Sequence, residues 1–148
     1  MEKRKVYLSA ILDLYDRRIV SYVIRDKNNN ALVFDTVDNA LLRNPGAQPL
    51  FHSDRGFQYT NRTFHIKLVN AGITQSMSRV AKCIDNGPME GFWGILKRER
   101  YYGKRFTDRD TLEKMNEDYI DYYNNKRLQR NLGILTPMEK HEIYLQAA

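Results

Sequence analysis

The stretch from Phe51 to Lys97 reads FHSDRGFQYTNRTFHIKLVNAGITQSMSRVAKCIDNGPMEGFWGILK and carries an acid near each end. Asp54 follows a short apolar run that predicts a strand. Glu90 lies just inside a predicted helix that the sequence Asn-Gly-Pro would open. A carboxylate at a strand end and another in a first helical turn can meet over one divalent cation, so this stretch predicts a metal site.

The chemistry of such a site follows from its ligands. Mg²⁺ prefers oxygen, and it is usually held by one or two carboxylates together with water and substrate phosphate oxygens. Where two such ions lie about 3.5–4 Å apart, one activates the attacking oxygen and the other stabilises the leaving oxygen. The chain is also basic, with 24 Lys and Arg against 18 Asp and Glu. Paired acids on a basic protein indicate phosphoryl transfer on nucleic acid.

The basic residues are clustered along the sequence and interleaved with Tyr and Asn. The clusters lie at residues 3–5, 17–18, 97–105 and 126–130. This distribution is typical of proteins that contact a phosphate backbone. For any one cluster taken singly, a solvated helix face is an equally good interpretation.

Length and composition indicate one ordinary globular domain. A chain of 148 residues with 42% hydrophobic residues can bury its own core. It has no apolar run approaching the roughly 18 residues of a membrane span and no signal-peptide pattern. We therefore expect a cytoplasmic protein, nucleoid-associated when bound to DNA, with no membrane partner. The single cysteine, Cys83, excludes an internal disulfide and a multi-cysteine zinc site.

Strand and helix signals alternate along the chain and predict an α/β layer fold. We predict strands over residues 6–14, 18–24, 49–51 and 73–77, and helices over residues 31–42, 64–69 and 87–101. Two further helices follow capping boxes formed by Thr107 with Asp110 and by Thr136 with Glu139. We expect a single domain over residues 1–148, with a core over about 5–105 and a C-terminal helical extension over about 106–148.

Several motifs, in this order, resemble those of a known family. They are His52-Ser53-Asp54-Arg55-Gly56-x-Gln58-Tyr59, Ser76-Met77-Ser78-Arg79, Asp85-Asn86-Gly87-Pro88-Met89-Glu90, Tyr123-Asn124-x-x-Arg127 and Leu135-Thr136-Pro137. Together they resemble the integrase catalytic domain of bacterial insertion-sequence transposases of the OrfB type, which are related to retroviral integrases. The resemblance spans nearly the whole chain and implies a ribonuclease-H-like fold.

The resemblance also implies a catalytic Asp, Asp, Glu triad with a fixed spacing between its second and third members. That spacing is 35 residues, and 35 residues lie between Asp54 and Glu90, which match these two members. The implied cofactor is Mg²⁺ or Mn²⁺, with two ions in the intact site. The implied reaction is metal-assisted hydrolysis that exposes a 3′-hydroxyl, followed by attack of that hydroxyl on target DNA.

Basic and polar side chains near the matched motifs are the candidates for DNA contacts. The candidates are Lys97, Arg55, Asn86, Arg79 and Arg127. Lys97 follows Glu90 by seven residues, which places both on one helix face, where Lys97 could hold a phosphate or a base edge. Asn86 could also be only a helix cap. Arg127 and Asn124 could grip a phosphate, but a tertiary contact is equally plausible.

The first Asp of the family's triad lies on an opening strand that has no counterpart in this sequence, which starts Met-Glu-Lys-Arg-Lys. We therefore expect an N-terminally truncated transposase, with an integrase core that lacks its first strand and has an unpaired sheet edge. Asp13 is a nearby acid, but it matches the turn after the first predicted strand. Whether this chain alone is an enzyme stays open.

Three functions follow from the sequence. The first is the catalytic domain of a transposase that acts on double-stranded DNA, as a homo-oligomer or together with a full-length transposase. The second is a non-catalytic DNA-binding remnant. The third is a stand-alone nuclease with a ribonuclease-H-like fold.

Overall fold

A computed structural model describes residues 5–78, 87–103 and 108–147. The elements in these ranges are β1 (Tyr7–Leu12), β2 (Ile19–Arg25), α1 (Asn30–Arg43), β3 (Leu50–Ser53), α2 (Phe57–Thr60), α3 (Arg62–Asn70), β4 (Thr74–Met77), α4 (Gly87–Leu96), a π-helix (Lys97–Tyr101), α5 (Arg109–Asn125), a 3₁₀-helix (Arg130–Leu132) and α6 (Pro137–Ala147). The predicted strands and long helices are all present. Among the described helices, none is long and apolar enough to cross a membrane.

Strands β1 and β2, which match the first two predicted strands, form a hairpin. They are antiparallel, with Tyr7 opposite Arg25. The turn between them is held by Asp13, whose Oδ1 accepts a hydrogen bond of 2.7 Å from the Tyr15 backbone N–H. Arg17 completes the turn in the left-handed region, at φ 63°. Asp13 therefore has the turn-forming role that the sequence favoured.

Strands β3 and β4 form a second sheet, in which they are parallel and His52 lies opposite Ser76. A cleft of about 690 Å³ separates the two sheets. Both β1 and β3 line it, and α1 and α4 contribute apolar side chains such as Val37 and Trp93. Within the described residues β1 pairs only with β2, and β3 only with β4, so one backbone edge of each strand lacks a strand partner.

One core cluster lies between the hairpin and the later helices. Phe92 and Leu96 of α4 pack with Tyr119, Ile120 and Tyr123 of α5, and all five are buried. The rings of Phe92 and Tyr123 meet edge to face, with centroids 5.0 Å apart. Phe92 and Leu96, which follow Glu90 in α4, therefore belong to the core.

A second core cluster joins α1, the helix that follows the hairpin, to the second sheet. Val33 and Val37 of α1 pack against Phe64 and Leu68 of α3, and against Ile73. Phe64 is fully buried, in ring contact with three other aromatic side chains, Phe34, Phe51 and Tyr59. Helix α1 also packs on both strands of the hairpin, so it connects the two parts of the molecule.

The helix ends show which capping signals were correct. Asn29 caps α1 and Asn61 caps α3, and the side chain of each accepts a hydrogen bond from a backbone N–H of the first turn. The capping box predicted for Thr107 and Asp110 is wrong. Helix α5 begins instead after Asp108, whose carboxylate accepts from the backbone N–H groups of Asp110 and Thr111. A carboxylate is a stronger acceptor than a hydroxyl at the positive end of a helix, and it sets the start one residue later. Thr107 lies outside the described residues.

The start of α6 confirms the other capping box. The Thr136 N–H donates to Glu139 Oε1 at 3.0 Å, and the Glu139 N–H donates to Thr136 Oγ1 at 3.1 Å. Pro137 occupies the first helical position. Each side chain satisfies a backbone donor that has no partner within the helix.

Candidate functional site

Asp54 lies where the chain leaves β3, and its side chain is exposed. Its Oδ1 accepts a hydrogen bond of 2.8 Å from the Gly56 N–H, which fixes the carboxylate in a tight local turn. A Cβ on Gly56 would lie 3.0 Å from the same oxygen. The backbone of Gly56 has φ −55° and ψ 148°, which other residues adopt freely. A side chain at this position would therefore crowd the Asp54 carboxylate, whereas the backbone angles do not require glycine.

Glu90 lies in the first turn of α4 and is also exposed. Its neighbours Pro88 and Met89 line the same cleft as Asp54, so the end of β3 and the start of α4 face one cavity. Within the described residues, neither Asp54 nor Glu90 forms an ion pair. Two exposed, unpaired carboxylates suit Mg²⁺, which takes its remaining ligands from water and phosphate.

The two acids make up only part of a metal site. Across the described residues, no group of three or more His, Cys, Asp or Glu side chains is arranged to hold a metal ion. The carboxylate oxygens of Asp54 and Glu90 are the type of ligand that a hard divalent cation prefers. This set of two is smaller than the three carboxylates that the family resemblance implies.

A hydrogen-bond network lies behind Asp54. The His52 ring is 3.0 Å from Ser76 Oγ through Nδ1 and 3.2 Å from Ser78 Oγ through Nε2. Ser78 Oγ also donates to the Ser53 carbonyl, at 3.3 Å. Sequence reasoning did not assign these serines a role. The signal was their alternation in Ser76-Met77-Ser78, which places both hydroxyls on the same side of the extended chain through the end of β4.

Helix α2, which the sequence analysis missed, adds a buried polar contact beside the cleft. Gln58 is buried, and its Nε2 donates to Asn28 Oδ1 at 2.6 Å. Both residues line the cleft together with Tyr59. Burial raises the pKa of the Tyr59 hydroxyl, and the charge of Asp54 raises it further, so Tyr59 stays neutral at physiological pH.

The candidate DNA-binding residues fall in different surroundings. Lys97 begins the π-helix and is exposed, as Glu90 is. Arg55 is also exposed, and its Nε donates to the Ser78 carbonyl at 2.9 Å. Arg79 and Asn86 lie outside the described residues. Lys97 and Arg55 are thus the two candidates whose charges face solvent within the described part of the chain.

Arg127 makes the tertiary contact that the sequence left as an alternative. Its Nε lies 3.0 Å from Glu99 Oε2, and its second terminal nitrogen, Nη2, lies 2.8 Å from the same atom. Asn124, three residues earlier, bonds both backbone groups of Ile19. The motif Tyr123-Asn124-x-x-Arg127 therefore joins α5 and its end to the π-helix and to β2.

The contact between Arg127 and Glu99 shifts the pKa of both side chains. Although burial acts to raise the pKa of Glu99, hydrogen bonds from Arg127 and Tyr119 outweigh it, and the pKa is lowered. The same hydrogen bond raises the pKa of Arg127. Burial and the Glu99 charge raise the pKa of Tyr119. Glu99 is therefore ionised and Tyr119 neutral at physiological pH.

Comparison with known proteins decides the family. Two family models, both described as an integrase core domain, match residues 1–83 and 90–143. The chain belongs to the integrase core domain family. Solved structures agree: a chain of the simian T-cell lymphotropic virus intasome has a TM-score of 0.73 and 13% identity, over 90% of this chain and 47% of that one.

A second solved structure, the HTLV-2 integrase catalytic core domain in complex with magnesium in a trimeric form, has a TM-score of 0.65 and 13% identity. The match covers 93% of this chain and 92% of that one. These similarities confirm the predicted ribonuclease-H-like α/β fold. They also confirm the resemblance to insertion-sequence transposases with a retroviral-integrase-like core, together with the relatives below.

Curated relatives of this integrase core include bacterial transposase-like and insertion-element proteins. An uncharacterized transposase-like protein of Haemophilus influenzae is 42% identical over 90% of this chain and 62% of its own length. An uncharacterized 31 kDa protein of insertion element IS600 from Shigella sonnei is 37% identical over 97% and 53%. The transposase of IS904 from Lactococcus lactis is 32% identical over 90% and 54%. The chain thus spans somewhat more than half the length of these relatives.

Proposed function

We propose that this integrase core is the catalytic part of a bacterial insertion-sequence transposase, which cleaves DNA strands and transfers them in the cytoplasm. Asp54 and Glu90 hold a divalent cation in this proposal. The observation that carries it is the placement of Asp54 and the first turn of α4 around one cleft, with both carboxylates exposed. Three bacterial relatives named as transposases or insertion-element proteins support the reaction class.

Mg²⁺ or Mn²⁺ is the cation we propose, with two ions in the complete site. When bound, such an ion polarises phosphate oxygens and favours attack at phosphorus. The magnesium complex of the HTLV-2 integrase core supports this choice. Asp54 contributes a carboxylate that the Gly56 N–H already orients. Glu90 contributes a second from the first turn of a helix.

We further propose that the third carboxylate comes from an extended segment added between β1 and β3. The cleft is lined on one side by the hairpin and on the other by β3, and Asp54 lies in its lining. Apolar side chains of α1 and α4 would cover both faces of such a segment, so its sequence would be apolar apart from the acid. Backbone groups on the unpaired edges of β1 and β3 would hold it in place.

Double-stranded DNA is the proposed substrate. Lys97 and Arg55 would contact it first, because both are exposed. Arg79 and Asn86 remain candidates on sequence grounds. Arg127 would act indirectly, by holding Glu99 in the π-helix that follows α4. The assembly we propose is a homo-oligomer or a complex with full-length transposase, and the intasome and trimeric integrase structures support it. In either case residues 1–148 would act as one domain.

Metal binding tests this proposal. Mn²⁺ titrated into the protein and followed by electron paramagnetic resonance should show a site that Asp54→Asn or Glu90→Gln weakens by about tenfold or more, because each change removes a charged ligand. Asp35→Asn is the matched control, since this half-exposed acid on α1 pairs with Arg25. Metal-dependent DNA nicking that survives Asp54→Ala would show that the metal site is wrongly assigned.

A second candidate function has one observation in its favour. Because the described residues hold no group of three metal-binding side chains, this chain could bind DNA without cleaving it. Salt-sensitive DNA binding that Lys97→Ala weakens, without any Asp54-dependent Mn²⁺ site, would identify such a non-catalytic DNA-binding protein.

A further inference from the structure

The hydrogen bonds around His52 have a definite direction. Ser78 Oγ donates to the Ser53 carbonyl, so it can accept the hydrogen bond from the imidazole. We therefore assign His52 Nε2 as the donor to Ser78 Oγ and Nδ1 as the acceptor from the Ser76 hydroxyl, at 3.0 Å. Both ring nitrogens then have a serine partner.

Ser78 touches the residues on both sides of Asp54. Its N–H donates to the Ser53 carbonyl at 2.8 Å, and its own carbonyl accepts from Arg55 Nε at 2.9 Å. Ser53 and Ser78 are both buried, so water does not replace these bonds. The position of Ser78 is thereby linked to the backbone before Asp54 and to the side chain after it.

The hydrogen bond between the His52 and Ser78 side chains extends beyond the last paired residues of β3 and β4. The pairing of β3 with β4 ends at Ser53 and Met77, and Ser78 follows Met77. Main-chain pairing alone already joins His52 to Ser76. The Nε2 contact adds a connection where the chain turns toward Asp54, so it contributes to the position of the turn and not only to the sheet.

We propose that His52 is a positioning residue that orients the Asp54 carboxylate through Ser78. This inference rests on the proposed function, in which Asp54 binds a divalent cation. Side chains that hold a ligand in place commonly change metal affinity by roughly 10-fold to 100-fold when they are replaced. We expect His52 to act on Asp54 in this way without touching metal or DNA.

Two substitutions at His52 distinguish the contributions of the two ring nitrogens. Glutamine can place its Nε2 donor near the lost imidazole Nε2, whereas asparagine reaches only the position of Nδ1. We expect His52→Gln to keep Mn²⁺ affinity within about threefold of the wild type and His52→Asn to weaken it by about tenfold. Ser78→Ala should behave like His52→Asn. Ser76→Ala is the matched control and should stay near the wild type.

Amide hydrogen exchange gives a second readout that needs no metal. The Gly56 N–H reports directly on Asp54, because it donates to Oδ1. Its exchange should accelerate several-fold in His52→Asn relative to His52→Gln. The Ile73 N–H, which donates to the Leu68 carbonyl, should stay unchanged in both variants. A general loss of stability would instead accelerate both amides together.

The outcomes distinguish this inference from the proposed function. Equal effects of His52→Gln and His52→Asn on both readouts would overturn the positioning role. The positioning role would also be overturned if the loss of Mn²⁺ affinity in every variant simply followed the fall in its thermal unfolding midpoint. If wild-type Mn²⁺ binding does not depend on Asp54, the proposed function fails, and the exchange of the Gly56 amide alone then decides whether His52 positions Asp54.

Discussion

Glu99 and Arg127 show at the level of single residues how a half-buried ion pair can stabilise a helix end. Their side chains are 30% and 24% exposed, so solvent screens the pair only partly. The guanidinium makes three hydrogen bonds to the two carboxylate oxygens, and Tyr119 donates a fourth. A planar guanidinium group can donate several hydrogen bonds to one carboxylate in this way, whereas the ammonium group of Lys cannot reproduce the geometry.

The lowered pKa of Glu99 predicts a dependence of stability on pH. The unfolded pKa is near 4.5, and the folded pKa lies below it. The stabilisation is therefore fully present above the unfolded pKa and is lost as the pH falls through the folded pKa. Glu99→Gln should lower the free energy of unfolding by about 2 kcal/mol at pH 7, and by much less at pH 3.

Urea unfolding of both proteins at the two pH values measures this difference. Asp118→Asn is the control, because Asp118 forms an exposed pair with Lys114. Its effect should stay within about 0.5 kcal/mol at either pH. A Glu99→Gln effect of the same size at pH 3 and pH 7 would contradict the assignment of the stabilisation to the ionised pair.

Helix α5 shows at the level of elements how a single side chain can dock a helix on a strand. Asn124 Oδ1 accepts from the Ile19 N–H at 2.8 Å, and its Nδ2 donates to the Ile19 carbonyl at 3.0 Å. Ile19 is the first residue of β2, and its side chain is buried. The amide thus supplies both hydrogen bonds that another strand would supply.

Removal of this amide should destabilise the docking of α5. We expect Asn124→Ala to cost about 1–3 kcal/mol, because it leaves a half-buried N–H and C=O without partners. Asn125→Ala is the matched control, since Asn125 bonds only Asp121 within its own helix. Its effect in the same urea titration should be small. Equal losses of unfolding free energy in the two variants would show that the Asn124–Ile19 hydrogen bonds contribute no more than helix propensity does.

Helix α6 is attached to the hairpin turn by a different kind of contact. His141 Nδ1 lies 3.0 Å from Oδ2 of Asp16, which is 1% exposed. Burial raises the pKa of Asp16, although the Arg18 N–H and the nearby cationic side chains oppose this. The contact joins residues 125 positions apart, so α6 is held against the turn between the first two strands.

For the whole molecule, the two core clusters determine whether it unfolds as one unit. Trp93, the single tryptophan, packs against the first cluster, and Phe64 lies in the second. Helix α1 belongs to the second cluster and packs on the hairpin, whose residue Ile19 belongs to the first. We infer that the clusters are coupled through α1.

Phe64→Ala tests this coupling. Loss of a fully buried phenyl ring should cost about 3–5 kcal/mol. Because the clusters are coupled, the urea midpoint should fall equally when followed by Trp93 fluorescence and by circular dichroism. Phe57→Ala, which truncates an aromatic side chain that is 63% exposed, is the control. A Trp93 midpoint that stays at the wild-type value would show two independently unfolding parts.

Local patterns in the sequence were enough to predict most elements, and the assignment of Asp54 and Glu90 to one metal site stays a prediction. The apolar runs predicted the hairpin and the long helices, and Thr136 with Glu139 predicted the start of α6. The spacing of Asp54 and Glu90 indicated one site, and in the structure Asp54 lines the same cleft as Pro88 and Met89, which precede Glu90 in the first turn of α4. These signals are local because capping, turns and hydrophobic periodicity involve residues a few positions apart.

Tertiary packing decided which side chain meets which. Arg127 meets Glu99 across 28 positions, and Asn124 meets Ile19 across 105. His52 meets Ser78 across 26 positions, behind Asp54. No local pattern specifies such pairs, because they form only when packed helices and strands bring distant residues within about 3 Å. The sequence by itself determined the family and most elements and predicted the two acids, whereas the tertiary structure decided which side chains lie behind Asp54 and what holds the helices around it.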